Sequence, residues 1–205
     1  MKKVSGLIVG AAVVAVLSGC SGGGATTTPP ATTHATPAQS APTATTPSVA
    51  APVLSVRGNH IKTVGEQAGI TDPLNGNPIA TFTITKIVVD PTCDGPAPQP
   101  PQNGHYIEIF ATAAVAPNAG VPLQDGMSPD YGWTYVDPAG NTSGAGTASG
   151  NASTCLAQTD LIENNILPGD KSTGAFVIDV PDTTGTLVYK LMGVQAGWEY
   201  QIPAK

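Results

Sequence analysis

The folded part of this sequence offers two histidines and several serines as candidates for nucleophilic catalysis. A serine or cysteine nucleophile needs a base beside it, and beyond residue 52 the histidines are His60 and His105. The same part of the chain has no Gly-x-Ser-x-Gly motif, the turn that presents the serine in many hydrolases. His60 lies near the start of the folded part and His105 opens a strand, so both are predicted to be surface residues. A zinc site built on two such distant histidines is conceivable, but nothing in the sequence requires it.

Carboxylates could supply a second kind of chemistry, the binding of calcium through oxygen ligands. Asp90 and Asp94 flank Cys93, and Asp125 and Asp130 flank a short Gly/Met/Ser/Pro loop. Neither pair matches the spacing of an EF-hand loop. Solvated loops are therefore the favoured interpretation, and we predict neither a metal nor a cofactor.

The third candidate chemistry is modification of a thiol at the end of an N-terminal signal. Lys2 and Lys3 precede a charge-free apolar run over residues 4–17, which is too short to span a bilayer needing about 20 residues. The Leu-Ser-Gly-Cys sequence that ends this run at Cys20 resembles the lipobox of bacterial lipoproteins. That resemblance implies cleavage after residue 19 and a diacylglyceryl group on the Cys20 sulfur, which would anchor the protein to a membrane without spanning it. An ordinary secretory signal with an incidental cysteine is the alternative.

The other two cysteines, Cys93 and Cys155, are predicted to form a disulfide. Export would place them in a compartment where disulfides persist. Residues 140–153 are rich in Gly, Ser, Thr and Asn and are predicted to be flexible, and the bond would tie their end to the loop after the first long strand. Two buried free thiols are the alternative, and a zinc site is disfavoured because no second pair of ligands has suitable spacing.

The charge of the mature chain excludes one class of partner. If Lys2 and Lys3 leave with the signal, 6 bases face 14 acids, for a net charge of −8. Nucleic acid and anionic lipid both attract basic surfaces. We therefore expect no nucleic-acid binding, and the lipid rather than charge would have to hold the protein on the membrane.

Composition divides the mature chain in two. Residues 20–52 begin with the lipidated cysteine and continue as Thr, Pro, Ala, Ser and Gly, which cannot bury enough apolar surface to fold. This linker is predicted to be disordered, and such tracts are also plausible sites of O-glycosylation. Residues 53–205 are long enough for one folded domain.

Alternation of apolar and polar residues predicts an all-β domain. The predicted strands cover residues 80–89, 106–115, 133–136, 174–180, 186–192 and 198–202, with a strand or helical turn at 161–166. A phase slip near Thr85 and Lys86 indicates a β-bulge. Glu108 and Asp179 fall opposite the apolar phase and are expected to face solvent. Short strands separated by turn signals are typical of an antiparallel β-sandwich.

The sequence also resembles a protein family over most of residues 60–202. The segment from Ile166 to Pro181, with its Pro-Gly-Asp turn and Gly-Ala-Phe-Val-Ile-Asp-Val-Pro strand, is similar to the small secreted mycobacterial immunoprotective antigens and to a domain of unknown function in actinobacterial surface lipoproteins. The resemblance implies an immunoglobulin-like β-sandwich. Because these motifs form strands and turns, it implies no catalytic residue.

Aromatic residues leave two uses open. Tyr131, Trp133 and Tyr135 lie close together in sequence, as do Trp198 and Tyr200. Exposed together they would form a recognition patch, but packing in the core is the favoured interpretation.

The sequence therefore predicts a lipid-anchored cell-envelope protein with a non-enzymatic binding module, whose partner is an unidentified envelope or host protein. One alternative is a carrier or sensor that holds a small apolar ligand between the sheets, which requires a cavity of about 300 Å³ or more. Another is a hydrolase that uses His60 or His105.

Overall fold

Two four-stranded sheets pack face to face in the computed structural model, which describes residues 53–205. The predictions for the signal peptide (1–19), Cys20 and the linker (20–52) lie outside the described residues. Within residues 53–205 the strands are β1 (His60–Lys62), β2 (Gln67–Thr71), β3 (Pro78–Val89), β4 (His105–Val115), β5 (Trp133–Val136), β6 (Lys171–Val180), β7 (Thr186–Tyr189) and β8 (Trp198–Gln201). Two short 3-10 helices cover Val121–Leu123 and Ala152–Thr154. No helix in this part of the chain is long and apolar enough to cross a membrane.

The sheets have the orders β1-β8-β7-β5 and β2-β3-β4-β6, which confirms the predicted all-β sandwich. One pair departs from the expected antiparallel pattern, because β1 runs parallel to β8. The long strands β3 and β4 form the centre of the second sheet, and β6 is one of its edges. The pairing of β3 with β4 shifts register between Ile84 and Lys86, so the predicted bulge is confirmed.

Two sequence predictions about strands need correction. Residues 161–166 form neither a strand nor a helical turn. Leu161 and Ile166 instead make isolated bridges, to Ala175 and Met127 respectively. Strand β7 stops at Tyr189 rather than at residue 192, where the chain turns toward β8. In both places the apolar run is too short to distinguish a strand from a turn, and Met192 at the end of the second run is exposed.

Six aromatic side chains form the centre of the sandwich. Phe82 from the second sheet meets Tyr189 and Trp198 of the first edge-on, at centroid distances of 5.0 and 4.9 Å. Trp133 stacks on Tyr189 at 5.0 Å and also contacts Phe176 and Tyr200. The favoured interpretation of these aromatic residues as core is confirmed, with Tyr131 as the exception at 68% exposed.

A buried glutamate fastens the start of the domain to β8. The Glu199 side chain is only 5% exposed, and its carboxylate accepts hydrogen bonds from Ser55, Asn59 and both Nε and Nη2 of Arg57, all between 2.8 and 2.9 Å. Burial alone would raise the pKa of Glu199, but the bonds from Arg57, Asn59 and Ser55 outweigh it and lower the pKa. The charged form of Glu199 therefore stabilises the fold.

Replacing Glu199 with glutamine is expected to destabilise the domain at pH 7, because it removes the charge that pairs with Arg57. The loss should be only about 1–2 kcal/mol, because Arg57 is partly exposed and solvent screens the pair. Because the pKa of Glu199 is lower in the folded state than its unfolded value of about 4.3, the charged carboxylate stabilises the fold above about pH 4.3. This stabilisation is lost as the pH falls through the folded-state pKa. The difference between wild type and E199Q should therefore shrink between pH 6 and pH 3 in urea unfolding. The exposed Glu163→Gln is the control, and an E199Q deficit that stays constant with pH would contradict the prediction.

Candidate binding groove at the β6 edge

The outer edge of β6 is only partly covered by other segments. At one end Ala175 donates its N–H to Asp160 and accepts a hydrogen bond from Ile162 N–H. At the other end Asp179 donates its N–H to the carbonyl of Thr147. Val177 lies between these two points and faces the same outer edge, because alternate residues of β6 bond to β4. Its peptide N–H and C=O have no hydrogen-bond partner among the described residues.

A groove of about 410 Å³ opens at this gap. One wall comes from residues 148–153 and the other from residues 158–164. Its apolar surface includes Ile162, Phe176 and Ile178, which also belong to the core. The groove therefore lies at the side of the sandwich, where two loops diverge from the edge strand.

Asp130 lines the groove with a carboxylate whose Oδ1 has no hydrogen-bond partner among residues 53–205. It is half-buried, and its Oδ1 is buried and accepts no hydrogen bond from the described residues. Burial raises the pKa of the Asp130 carboxyl. A desolvated and unpaired carboxylate is costly, so a cation or hydrogen-bond donor entering the groove would gain by meeting it.

The wall formed by residues 148–153 is fixed at both ends. Thr147 is buried and donates its hydroxyl to the carbonyl of Trp133 at 2.9 Å. Beyond the wall, Cys155 is joined to Cys93, so the predicted disulfide is present. The carbonyl of Cys155 also accepts the N–H groups of Asp94 and Gly95 at 2.9 Å. The stretch predicted to be flexible is therefore attached to the sheet and to the loop that follows β3.

Asp179 is buried, so the prediction that it faces solvent is wrong. It is fully buried, and its carboxylate accepts the backbone N–H groups of Gln102 and Asn103 at 2.7 and 3.0 Å. The loop before β4 covers this end of β6 and brings those donors to the carboxylate. Strand phase cannot reveal a cover of this kind. Glu108, predicted to face solvent too, is only partly exposed, and burial raises the pKa of its carboxyl.

His105 pairs with an acid, although neither histidine was predicted to act as a base. Its Nδ1 lies 2.9 Å from Asp90 Oδ1, and Lys205 donates to Asp90 Oδ2 at 2.8 Å. The bond from Lys205, followed by that with His105, lowers the pKa of Asp90. Asp90 has a left-handed backbone with a φ of 49°. No serine hydroxyl of residues 53–205 is hydrogen-bonded to the ring of His105 or His60.

The other candidate ligands do not converge either. Asp94 Oδ1 accepts the N–H of Ala157 at 3.1 Å, and Asp125 is exposed. His60 starts β1, beside Trp198 on the opposite sheet edge from the groove. Over residues 53–205 no three His, Cys, Asp or Glu side chains are grouped as metal ligands.

The space between the sheets is occupied by the aromatic cluster around Trp133 and Tyr189. A separate depression of about 310 Å³ lies at the mouth between the edge strands β1 and β2, lined by His60, Gln67 and Ile70 among others. Both this depression and the β6 groove are bounded by edge strands. An apolar ligand enclosed between the sheets, as the carrier alternative requires, would have to displace packed aromatic rings.

Comparison with known proteins adds little to this description. No protein-family model and no curated protein matches the chain. Among solved structures, the chain is similar to the 1.5 Å crystal structure of MPT63, a secreted protein from Mycobacterium tuberculosis. The similarity covers 75% of this chain and 99% of that one, at 16% identity and a TM-score of 0.45. A similarity this low supports no conclusion about function.

Proposed function

We propose that this is an exported, lipid-anchored envelope protein whose β-sandwich is a non-enzymatic module that binds another protein through the β6 groove. The observation that carries the proposal is that one groove contains both the Val177 peptide and Asp130 Oδ1, neither of which has a hydrogen-bond partner among the described residues. A strand edge whose peptide groups lack partners favours recognition of another chain.

The absence of a catalytic role is part of the proposal. His105 and Asp90 supply an acid–base pair, but acyl transfer also needs a nucleophile within hydrogen-bond reach of the base. In residues 53–205 no serine hydroxyl is hydrogen-bonded to that ring. The two cysteines that could supply a thiol nucleophile, Cys93 and Cys155, are joined in a disulfide. The geometry thus favours a binding module over a hydrolase.

Anchoring through Cys20 is supported by the sequence that precedes it. The lipobox-like ending follows directly on a short apolar run, and the acidic mature chain has no basic excess to hold it on anionic lipid. Two or more acyl chains would anchor it stably, whereas one would bind only reversibly. The linker of residues 20–52 would then separate the binding module from the membrane.

Cys20→Ser is expected to abolish incorporation of labelled palmitate, because serine offers no thiol for the diacylglyceryl group. The measurement is radiolabelling of the full chain in a bacterium that processes lipoproteins, with mass spectrometry of the mature N-terminal peptide. Ser21→Ala is the matched control and should remain labelled. Label that persists in C20S, or a wild type whose residue 20 carries no lipid, would contradict the anchor.

A further inference from the structure

We infer that the β6 groove binds an extended, basic segment of another protein, pairing that segment's backbone with Val177 and placing an arginine or lysine side chain against Asp130. This inference rests on the proposed function, since it names the chemistry of the partner that the groove accepts. It concerns the groove alone and does not depend on the anchor at Cys20.

The inferred backbone pairing depends on which peptide groups along the outer edge of β6 already have hydrogen-bond partners. Ala175 and Asp179 already have partners on the outer edge, and Val177 between them presents one donor and one acceptor. The open gap is about 13 Å long at the usual rise per residue. An extended chain that enters there can form the two hydrogen bonds of one antiparallel pair, as in strand addition to a sheet edge.

Side-chain alternation decides where the basic residue of that segment must be. The Val177 side chain packs on the outer face of the sheet, against the cluster of Tyr106, Ala152 and Cys155. Phe176 and Ile178 point to the opposite face, into the core. In a paired strand the residue opposite Val177 shares its face, and the residues next to it point the other way. Asp130 lies on the core side, because the carbonyls of the two residues before it accept hydrogen bonds from the core side chains of Tyr189 and Trp133. A basic residue one position from the paired one is directed toward this side.

Charge selects the side chain that would occupy this position. The charged residues that line the groove are Asp130 and Glu163, both acidic. Glu163 is exposed near the rim, whereas Asp130 Oδ1 is buried without a partner. A guanidinium can donate several hydrogen bonds to a carboxylate in a fixed plane. Arginine is therefore the best occupant, with lysine as a weaker one.

The test uses a dye-labelled, acetylated peptide of five residues, Thr-Val-Arg-Thr-Thr amide, titrated against the full chain in detergent micelles by fluorescence anisotropy. Replacing its arginine with citrulline removes the charge and keeps the shape. N-methylation of the valine, the residue expected opposite Val177, removes one backbone donor. On the protein side, Asp130→Asn is matched by Asp125→Asn, which removes the same charge at an exposed position outside the groove.

We expect citrulline and D130N each to weaken binding by about tenfold, as loss of one partner of a partly desolvated ion pair does. The combination of D130N with citrulline should weaken binding no further, because both changes remove the same contact. N-methylation should also weaken binding by about tenfold, and D125N should change it less than about twofold.

Equal binding of the arginine and citrulline peptides would overturn the inference, as would equal losses in D130N and D125N. Free arginine amide that binds as tightly as the peptide would overturn the backbone pairing. Thermal unfolding of D130N checks that the variant is folded, and the citrulline peptide tests the same contact on the unmodified protein. Because binding is measured without regard to residue 20, loss of palmitate labelling and loss of peptide binding can be told apart.

Discussion

Replacing both Cys93 and Cys155 with alanine should lower the free energy of unfolding by about 4 kcal/mol, because the bond closes a long loop in the unfolded chain. The two cysteines are separated by 62 positions, and loop-closure entropy grows with the logarithm of that length. Cys155 is fully buried beside Tyr106 and Ala152, so the loss of packing adds to the entropic effect. Urea unfolding at neutral pH, without reductant, measures the change.

Reductant provides the internal control for this prediction. It should destabilise the wild type by a similar amount and leave the double variant unchanged, because only the wild type has a bond to reduce. The variant should also show faster amide hydrogen exchange in residues 148–156, the wall that the disulfide holds beside the groove. A loss below about 1 kcal/mol would mean that the hydrogen bonds of Asp94 and Gly95 to Cys155 hold this loop without the disulfide.

The central strands of the sandwich could be predicted because their side chains alternate between the core and the outer face. In β4 the buried residues alternate from Ile107 to Val115, and the limits of the strand were predicted to within one residue. The bulge in β3 was predictable for the same reason, since one extra residue reverses the phase and Ile84 and Ile87 are both buried. The disulfide was predicted from a count of cysteines together with the predicted export signal.

Two of the four edge strands, β1 and β2, lacked any such signal. β1 has three residues, and β2 carries Gly69 in its middle, where a Cβ would meet the carbonyl of Ala80. A short edge strand needs only one ladder of hydrogen bonds and little apolar surface, so neither hydrophobicity nor β-propensity marks these two. The parallel pairing of β1 with β8 joins the two ends of the domain and cannot be inferred from local pattern.

The candidate site was missed for a related reason. Asp130 was identified as one of two acids around a loop, but its importance comes from burial against β6, about 45 positions further along the chain. Val177 has an ordinary strand side chain, and the relevant feature is its backbone, which sequence patterns do not report. Asp179 was assigned to solvent by strand phase and is covered by a loop from before β4. Each of these features depends on which loop passes over which edge.

Phe82→Ala should destabilise the domain by about 4 kcal/mol, which makes it comparable to loss of the disulfide. Phe82 is 3% exposed and is the ring of the second sheet that lies between Tyr189 and Trp198 of the first. Truncation to alanine removes its apolar burial and both edge-to-face contacts, and it leaves a cavity that the flanking β-strands cannot close by a small shift. Urea unfolding at pH 7 gives the free energy.

Phe110→Ala is the matched control, since Phe110 is also a strand phenylalanine of the same sheet. Its ring faces outward, partly exposed, with Lys86 Nζ 5.1 Å from the ring centre. Loss of that cation–π contact and of a partly buried ring should cost about 1 kcal/mol. Equal losses in F82A and F110A would contradict the view that the aromatic cluster joins the two sheets. A much larger loss in F82A supports it, and also explains why an apolar ligand has no room there: the rings that such a ligand would displace are those on which the stability of the sandwich depends.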